Sequence, residues 1–278
     1  MKYKEVVMVS ACRTAIARFL GSLKDVQAKD LAITVGKEAI KRANIDPAII
    51  DEITMGEVYP HMQGSLPARQ VGLACGLTEE TSAVNINQNC TSAMRALEIA
   101  AHNIMLGKTE VALVVGTESM TNVPYMLAKA RTGYRLDGGY LDDALIKDAL
   151  YCSFTGGHMG LTAENVAEKY DITREECDEL ALISHQRATR AVREGTFKRE
   201  IVPVEIKGKK GKVTYYEDDE NMIPDANLEA MAKLRPVFKK GGVVTAANAS
   251  SINDGAAAAI IMSSQKAREL DIKPMMKL

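Results

Sequence analysis

A chain of 278 residues, 46% apolar and 26% charged with a formal net charge of −1, can bury a substantial core and carries no global field to draw in nucleic acid or an anionic membrane. Its five cysteines (Cys12, Cys75, Cys90, Cys152 and Cys177) are odd in number, scattered and without a C-x-x-C pair, which argues against a disulfide framework or a cysteine metal site. With no signal-peptide core and no run of eighteen apolar residues, the expectation is a soluble, reduced, cytoplasmic protein with no metal and no membrane partner.

In chain order, Val6-Val7-Met8-Val9 follows directly on Met1-Lys2-Tyr3-Lys4-Glu5 and reads as a strand covered on both faces. Leu31, Val35, Ala39 and Ile40 recur at helical spacing over 30–43, and 53–58 reads as the next strand. Pro67 suits the first turn of a helix running toward Gly76. A strand over 83–87, a helix over 91–106 ending at Gly107, and the strand Val111-Ala112-Leu113-Val114-Val115 follow. Alternating strands and helices predict a mostly parallel sheet with right-handed crossovers. The helix over 91–106 is alanine-rich and poor in charge, which predicts burial of most of its circumference between layers.

After Gly116-Thr117-Glu118-Ser119-Met120 the rhythm breaks, and 121–240 reads as an insertion with its own small core. Within it, Thr173-Arg174-Glu175-Glu176 is a capping-box signature for a helix reaching about 194. The basic, glycine-rich Lys207-Gly208-Lys209-Lys210-Gly211-Lys212 reads as a solvated hairpin tip, with a polyanion or subunit contact as the alternative. Gly241-Gly242-Val243-Val244-Thr245 returns to strand, 256–262 is a buried strand, a last helix covers 265–270, and another strand begins at the chain's end.

Chemistry concentrates at Asn87-Gln88-Asn89-Cys90-Thr91-Ser92, where a strand turns into a helix and leaves a cysteine at the corner. Unpaired N–H groups and the helix dipole favour an anion there, hence the nucleophilic thiolate, and the same N–H groups can hold an oxyanion. The competing reading is a buried cysteine acting as a small hydrophobe.

The Asn89-Cys90 corner is joined by four further runs. They are His158-Met159-Gly160-Leu161-Thr162-Ala163-Glu164-Asn165, Ser184-His185, the 231–238 run Met-Ala-Lys-Leu-Arg-Pro-Val-Phe, and Thr245-Ala246-Ala247-Asn248-Ala249-Ser250-Ser251-Ile252-Asn253-Asp254-Gly255. Together with Arg13-Thr14 and Pro67-Ala68-Arg69-Gln70, this ordered set resembles the thiolase family over nearly the whole chain. The resemblance implies an α/β thiolase-like layered fold: a mixed, mostly parallel sheet with a buried central helix and an inserted α+β loop domain. Residues 1–120 and 241–272 would form the core, 121–240 the loop domain, and 273–278 the start of a further C-terminal domain.

The implied function is acyl-CoA C-acyltransferase, forming acetoacetyl-CoA from two acetyl-CoA or running thiolysis. Cys90 would carry the acyl group in a ping-pong scheme. His158 and Met159, with Ala246, Ser250 and Ile252, would line the pantetheine arm of acetyl-CoA or acyl-CoA; no cofactor beyond these thioesters is implied. On local grounds His158 is equally a structural histidine, Ser250 a turn hydroxyl, and Met120, Met126 and Met159 gap-fillers. Asn248, Asn253 and Asp254 read as turn residues. Thr91-Ser92 stands where many members place a glycine, which narrows the pocket or alters acyl preference. The family's second half, with its Asn-Glu-Ala, Gly-His-Pro and Cys-x-Gly-Gly-Gly motifs, does not occur in these residues. The expectation is therefore a nucleophile-bearing part, inactive without a C-terminal-half partner or longer parent chain, in a homodimer or tetramer. The alternatives are a non-catalytic acyl-CoA-binding protein and a thiolase-assembly subunit.

Overall fold

The computed structural model describes residues 3–278, and of Lys209 only the backbone, so Met1 and Lys2 of the N-terminal lead-in lie outside the described residues. Two units are distinguished. One holds the described residues up to Asn122 with Lys198–Glu220 and Asn253–Leu278, the other Val123–Phe197 with Asn221–Ile252.

The larger unit contains strands β1 (Val6–Thr14), β2 (Ala17–Arg18), β3 (Glu52–Gly56), β4 (Ser82–Ile86), β5 (Val111–Ser119), β6 (Ile201–Val202), β7 (Val204–Lys207), β8 (Val213–Tyr216), β9 (Asn253–Ser263) and β10 (Met276–Lys277). Its main sheet runs β6-β1-β9-β5-β3-β4, with β10 also on β1 and β2 also on β9. β6 is parallel to β1, and β3 is parallel to both β5 and β4, whereas β9 lies antiparallel to both β1 and β5. The sheet is therefore mixed, less parallel than the alternation of elements suggests, because β9 returns through its centre after the second unit. β7 and β8 form the separate hairpin anticipated around the lysine-rich tip.

Side chains alternate between sheet faces as a strand requires. Val111, Leu113 and Val115 pack with Leu31, Val35 and Ala39 of helix α1 (Ala28–Ala43) and with Ala68 and Val71 of helix α2 (Pro67–Ala74). Ala112 and Val114 face the other way, with Val6 and Ile261, against Ala96, Ala100 and Ile104 of helix α3 (Ser92–Met105). Each fully buried Leu or Ile contributes about 1.5–3 kcal/mol by leaving water. Asn44, in the left-handed conformation, ends α1. The expectation that α3 is buried around most of its circumference is corrected. Only the stripe of Ser92, Ala96, Ala100, Ala101 and Ile104 is buried, while Met94 is 74% exposed, because a single sheet covers a single face.

The smaller unit holds α4 (Met159–Lys169), α5 (Arg174–Arg193), α6 (Leu228–Ala232) and two short antiparallel ladders, Tyr125–Leu127 with Leu141–Asp143 and Tyr151–Cys152 with Gly157–His158. The capping box that starts α5 is present: the Thr173 hydroxyl accepts from the Glu176 amide at 3.2 Å, and the Glu176 carboxylate accepts from the Thr173 amide at 2.8 Å. No strand forms at 241–245, a second correction. The amides of Val243 and Val244 donate instead to the Glu164 carboxylate at 2.8 and 2.9 Å.

Side-chain ties of this kind also set the unit boundaries apart from those suggested by sequence rhythm. Residues 198–220 join the larger unit because β6 pairs with β1 and Arg13 meets both Glu200 and Asp219 at 2.8 Å. Residues 241–252 join the smaller one through Glu164 and through Asn248, which donates to Asp178 on α5 at 2.8 Å. Among the described residues, no helix is long and apolar enough to cross a membrane.

Candidate active site

The path from β4 to α3 is set first by what is absent. Gly56 and Gly116 sit opposite one another on β3 and β5. A methyl on Gly56 would lie 2.4 Å from the Ser92–Ala93 backbone, and one on Gly116 would lie 2.5 Å from the Ala93 side chain. The paired glycines let the first turn of α3 rest on the sheet backbone, which fixes the height of the corner that precedes it.

At the corner, Asn89 takes a left-handed φ of 50°, a conformation asparagine tolerates better than most residues. Its amide donates to the Asn87 side-chain oxygen at 3.0 Å. The Ser92 hydroxyl accepts from the Gln88 amide at 2.9 Å and donates to the Asn89 carbonyl at 2.6 Å, while the Thr91 hydroxyl donates to the Gln88 carbonyl at 2.8 Å. The side chains of Asn87, Thr91 and Ser92 thus hold the backbone of the corner, and Cys90 is exposed where α3 begins. The competing picture of Cys90 as a buried hydrophobe does not hold. Cys12 and Cys75 fill that role: burial pushes both thiols up to about 11. In the smaller unit the partly exposed Cys152 is held below the usual thiol range, chiefly by the Thr155 side chain.

Behind the corner, the carboxyl ends of β3, β4 and β5 converge on two acids. Glu57, 2% exposed, accepts from the side-chain amides of Gln63 and Asn85, the latter at 2.9 Å. Burial raises its carboxyl despite those donors. Glu118 accepts from the backbone amides of Val58 at 2.8 Å and Tyr59 at 3.3 Å. Burial, with added repulsion from Glu57 and Asp254, pushes Glu118 up to about 7 against those two amides. The sequence reading gave neither acid a role. The signal available was a polar residue continuing each apolar strand at its carboxyl end, where α/β sheets place their sites.

The remaining candidate residues lie in the smaller unit. His158 caps α4, its Nδ1 accepting from the Gly160 amide at 3.0 Å, and stacks on Phe238 at 4.8 Å between centroids. Met159, the first residue of α4, is 37% exposed. Glu164, one turn further on, holds the start of the segment that carries Ala246 and Ser250, both exposed, and the half-buried Ile252. His158, Met159, Ala246, Ser250 and Ile252 thus share one unit, and Cys90 belongs to the other. Asn248, Asn253 and Asp254 do structural work: Asn248 ties Thr245 and Asp178, Asn253 donates to the Ala17 carbonyl, and Asp254 accepts from the Thr121 amide and hydroxyl.

Residues 6–265 match the family model described as thiolase, N-terminal domain. The chain is 47% identical over 277 residues to an acetyl-CoA acetyltransferase of Syntrophomonas wolfei, covering 99% of this chain and 69% of that protein. It is 45% identical over 278 residues to the acetyl-CoA acetyltransferase of Escherichia coli K12, covering 99% and 70%. Among solved structures, an acetyl-CoA acetyltransferase from Syntrophomonas wolfei superposes with a TM-score of 0.97 at 56% identity, covering 99% of this chain and 69% of that one. The mixed sheet, the cysteine corner and these matches agree: the chain belongs to the thiolase family.

Proposed function

We propose that this chain supplies the nucleophile of an acetyl-CoA acetyltransferase, with Cys90 as the acyl carrier. The observation that carries the reading is the exposed Cys90 sulfur at the start of α3, in a corner whose backbone is held by the side chains of Asn87, Thr91 and Ser92. The thiolate attacks the thioester carbonyl of acetyl-CoA; an S–C bond forms, and the tetrahedral oxyanion is held by N–H groups at the helix start. Collapse of that species breaks the bond to the CoA sulfur, which leaves as a thiolate and takes up a proton. The acetyl-cysteine then passes its acyl group to the α-carbon of a second acetyl-CoA, or, in the thiolytic direction, the acyl-enzyme is formed from acetoacetyl-CoA and discharged to CoA.

In this reading His158, Met159, Ala246, Ser250 and Ile252 contact the pantetheine arm. Because Nδ1 of His158 accepts from Gly160, the neutral ring carries its proton on Nε2, a donor suited to an amide or thioester carbonyl. Exposed Ala246 and Ser250 leave room for a narrow chain and offer one hydroxyl to its amides.

The groups that deprotonate the thiol and the incoming carbon lie, in the same reading, outside these 278 residues, on a longer chain or a second polypeptide. His158 and His185 each accept a backbone N–H, and His102 stands twelve residues along from Cys90, about 18 Å at 1.5 Å per residue. The test is intact mass after incubation with acetyl-CoA, with and without a protein carrying the second-half motifs. An adduct of about 42 Da on wild type and none on Cys90→Ser is the expected result. No adduct on Cys90 under either condition overturns the assignment.

A further inference from the structure

We infer that Glu118 and Asn87 are positioning residues for Cys90, joined to it by one continuous hydrogen-bond path. The inference rests on the reading of Cys90 as nucleophile. The path starts at the Glu118 carboxylate, which takes the amides of Val58 and Tyr59. The carbonyl of Val58 accepts from the Asn87 side-chain amide at 3.2 Å. The oxygen of that same Asn87 side chain accepts from the Asn89 amide at 3.0 Å, holding Asn89 in its left-handed conformation immediately before Cys90. Asn87 therefore uses both ends of its amide, one on the β3 side and one on the corner, so any shift of Val58 is delivered to the peptide that presents the sulfur.

The charge state of Glu118 sets that shift. An ionised carboxylate accepts both amides; a protonated one presents a single good acceptor and a hydroxyl that faces a donor, so one of the two N–H groups loses its partner. The groups facing Glu118 are the Val58 and Tyr59 amides, Glu57 at the end of β3 and Asp254 on β9. Burial first, and both acids after it, oppose its ionisation and push its carboxyl up to about 7. The position of Cys90 is thereby coupled to protonation near neutrality. Gln63 and Asn85 are taken up by Glu57 and stand outside the path.

Two readouts on the intact chain decide the matter: the rate of Cys90 alkylation by iodoacetamide, followed on the Cys90 peptide by mass, and the rate of acetyl transfer from acetyl-CoA with the protein carrying the second-half motifs supplied, each from about pH 6 to 8.5. Glu118→Gln cannot titrate and mimics the protonated state. It should keep the rise that ionisation of a thiol itself gives and lose the further component centred near 7 that wild type shows. Asn87→Ala breaks the path downstream, and its rate at the alkaline end should fall about three- to tenfold, the worth of one hydrogen bond. The double variant should be no slower than Asn87→Ala alone, since both cuts fall on one line. Melting curves on each variant separate this from unfolding. Alkylation profiles of both variants that overlay the wild type, or effects that add in the double variant, overturn the inference. Wild type that alkylates as described yet never takes an acetyl group leaves the positioning path standing and removes the acyl-carrier reading instead.

Discussion

Because burial pushes the Glu118 carboxyl to about 7, folded chain keeps a proton there over a range in which an ordinary glutamate, near about 4.3, has lost it. The folded state then binds more protons than the unfolded one, so stability falls as pH rises from about 4.3 to about 7. The contribution is at most about 4 kcal/mol. Glu52, Glu57 and Asp254, all raised by burial, act in the same direction. Urea-unfolding free energies across this range should therefore slope less for Glu118→Gln than for wild type; equal slopes would show that the folded chain does not hold the extra proton at this position. A group that costs stability when ionised, and is nonetheless built at the end of β5 onto two backbone amides, fits a positioning role better than a purely structural one.

At the scale of elements, α3 is placed by two glycines that come from strands about sixty residues apart in sequence. Gly56→Ala drives a methyl into the Ser92–Ala93 backbone, which cannot swing aside as a side chain can. The expected cost is about 1–3 kcal/mol, read from the urea midpoint, together with slower acetyl transfer to Cys90. Gly116→Ala meets only the Ala93 methyl, so combining it with Ala93→Gly should restore much of the acetyl-transfer rate; failure to do so would mean that contact does not set the corner. Thr173→Ala should cost about 1 kcal/mol through the lost capping box, with no effect on the chemistry of Cys90.

These elements also show what a sequence can and cannot reveal. Pro67, the Thr173-Glu176 box and the apolar run at 111–115 could be read directly, because each signal is local and its periodicity or cap chemistry points one way. The cysteine corner was legible for the same reason. The turn at 241–245 was not: Gly-Gly-Val-Val-Thr has strand composition, and only the Glu164 carboxylate, about eighty residues upstream, takes the two amides a strand would have shared. The glycine pair under α3 and the Glu118–Asn87 path failed to declare themselves in the same way, being contacts between segments that register alone brings together.

At the scale of the whole molecule, the cysteine corner belongs to the larger unit and the five residues assigned to the pantetheine arm to the smaller one. The chain spans 69–70% of the length of the two acetyltransferases it resembles in sequence. The account therefore stands on whether the sulfur of the larger unit accepts an acyl group. The most direct measurement is acid quench after incubation with acetyl-CoA and the second-half protein, followed by peptide mass mapping with and without hydroxylamine, on wild type, Cys90→Ser and Cys152→Ser. The account expects an acetyl group on the Cys90 peptide, removed by hydroxylamine as a thioester is, retained in Cys152→Ser and absent in Cys90→Ser. An acetyl group found on Cys152 or on lysine alone, or one undiminished by Cys90→Ser, would contradict it.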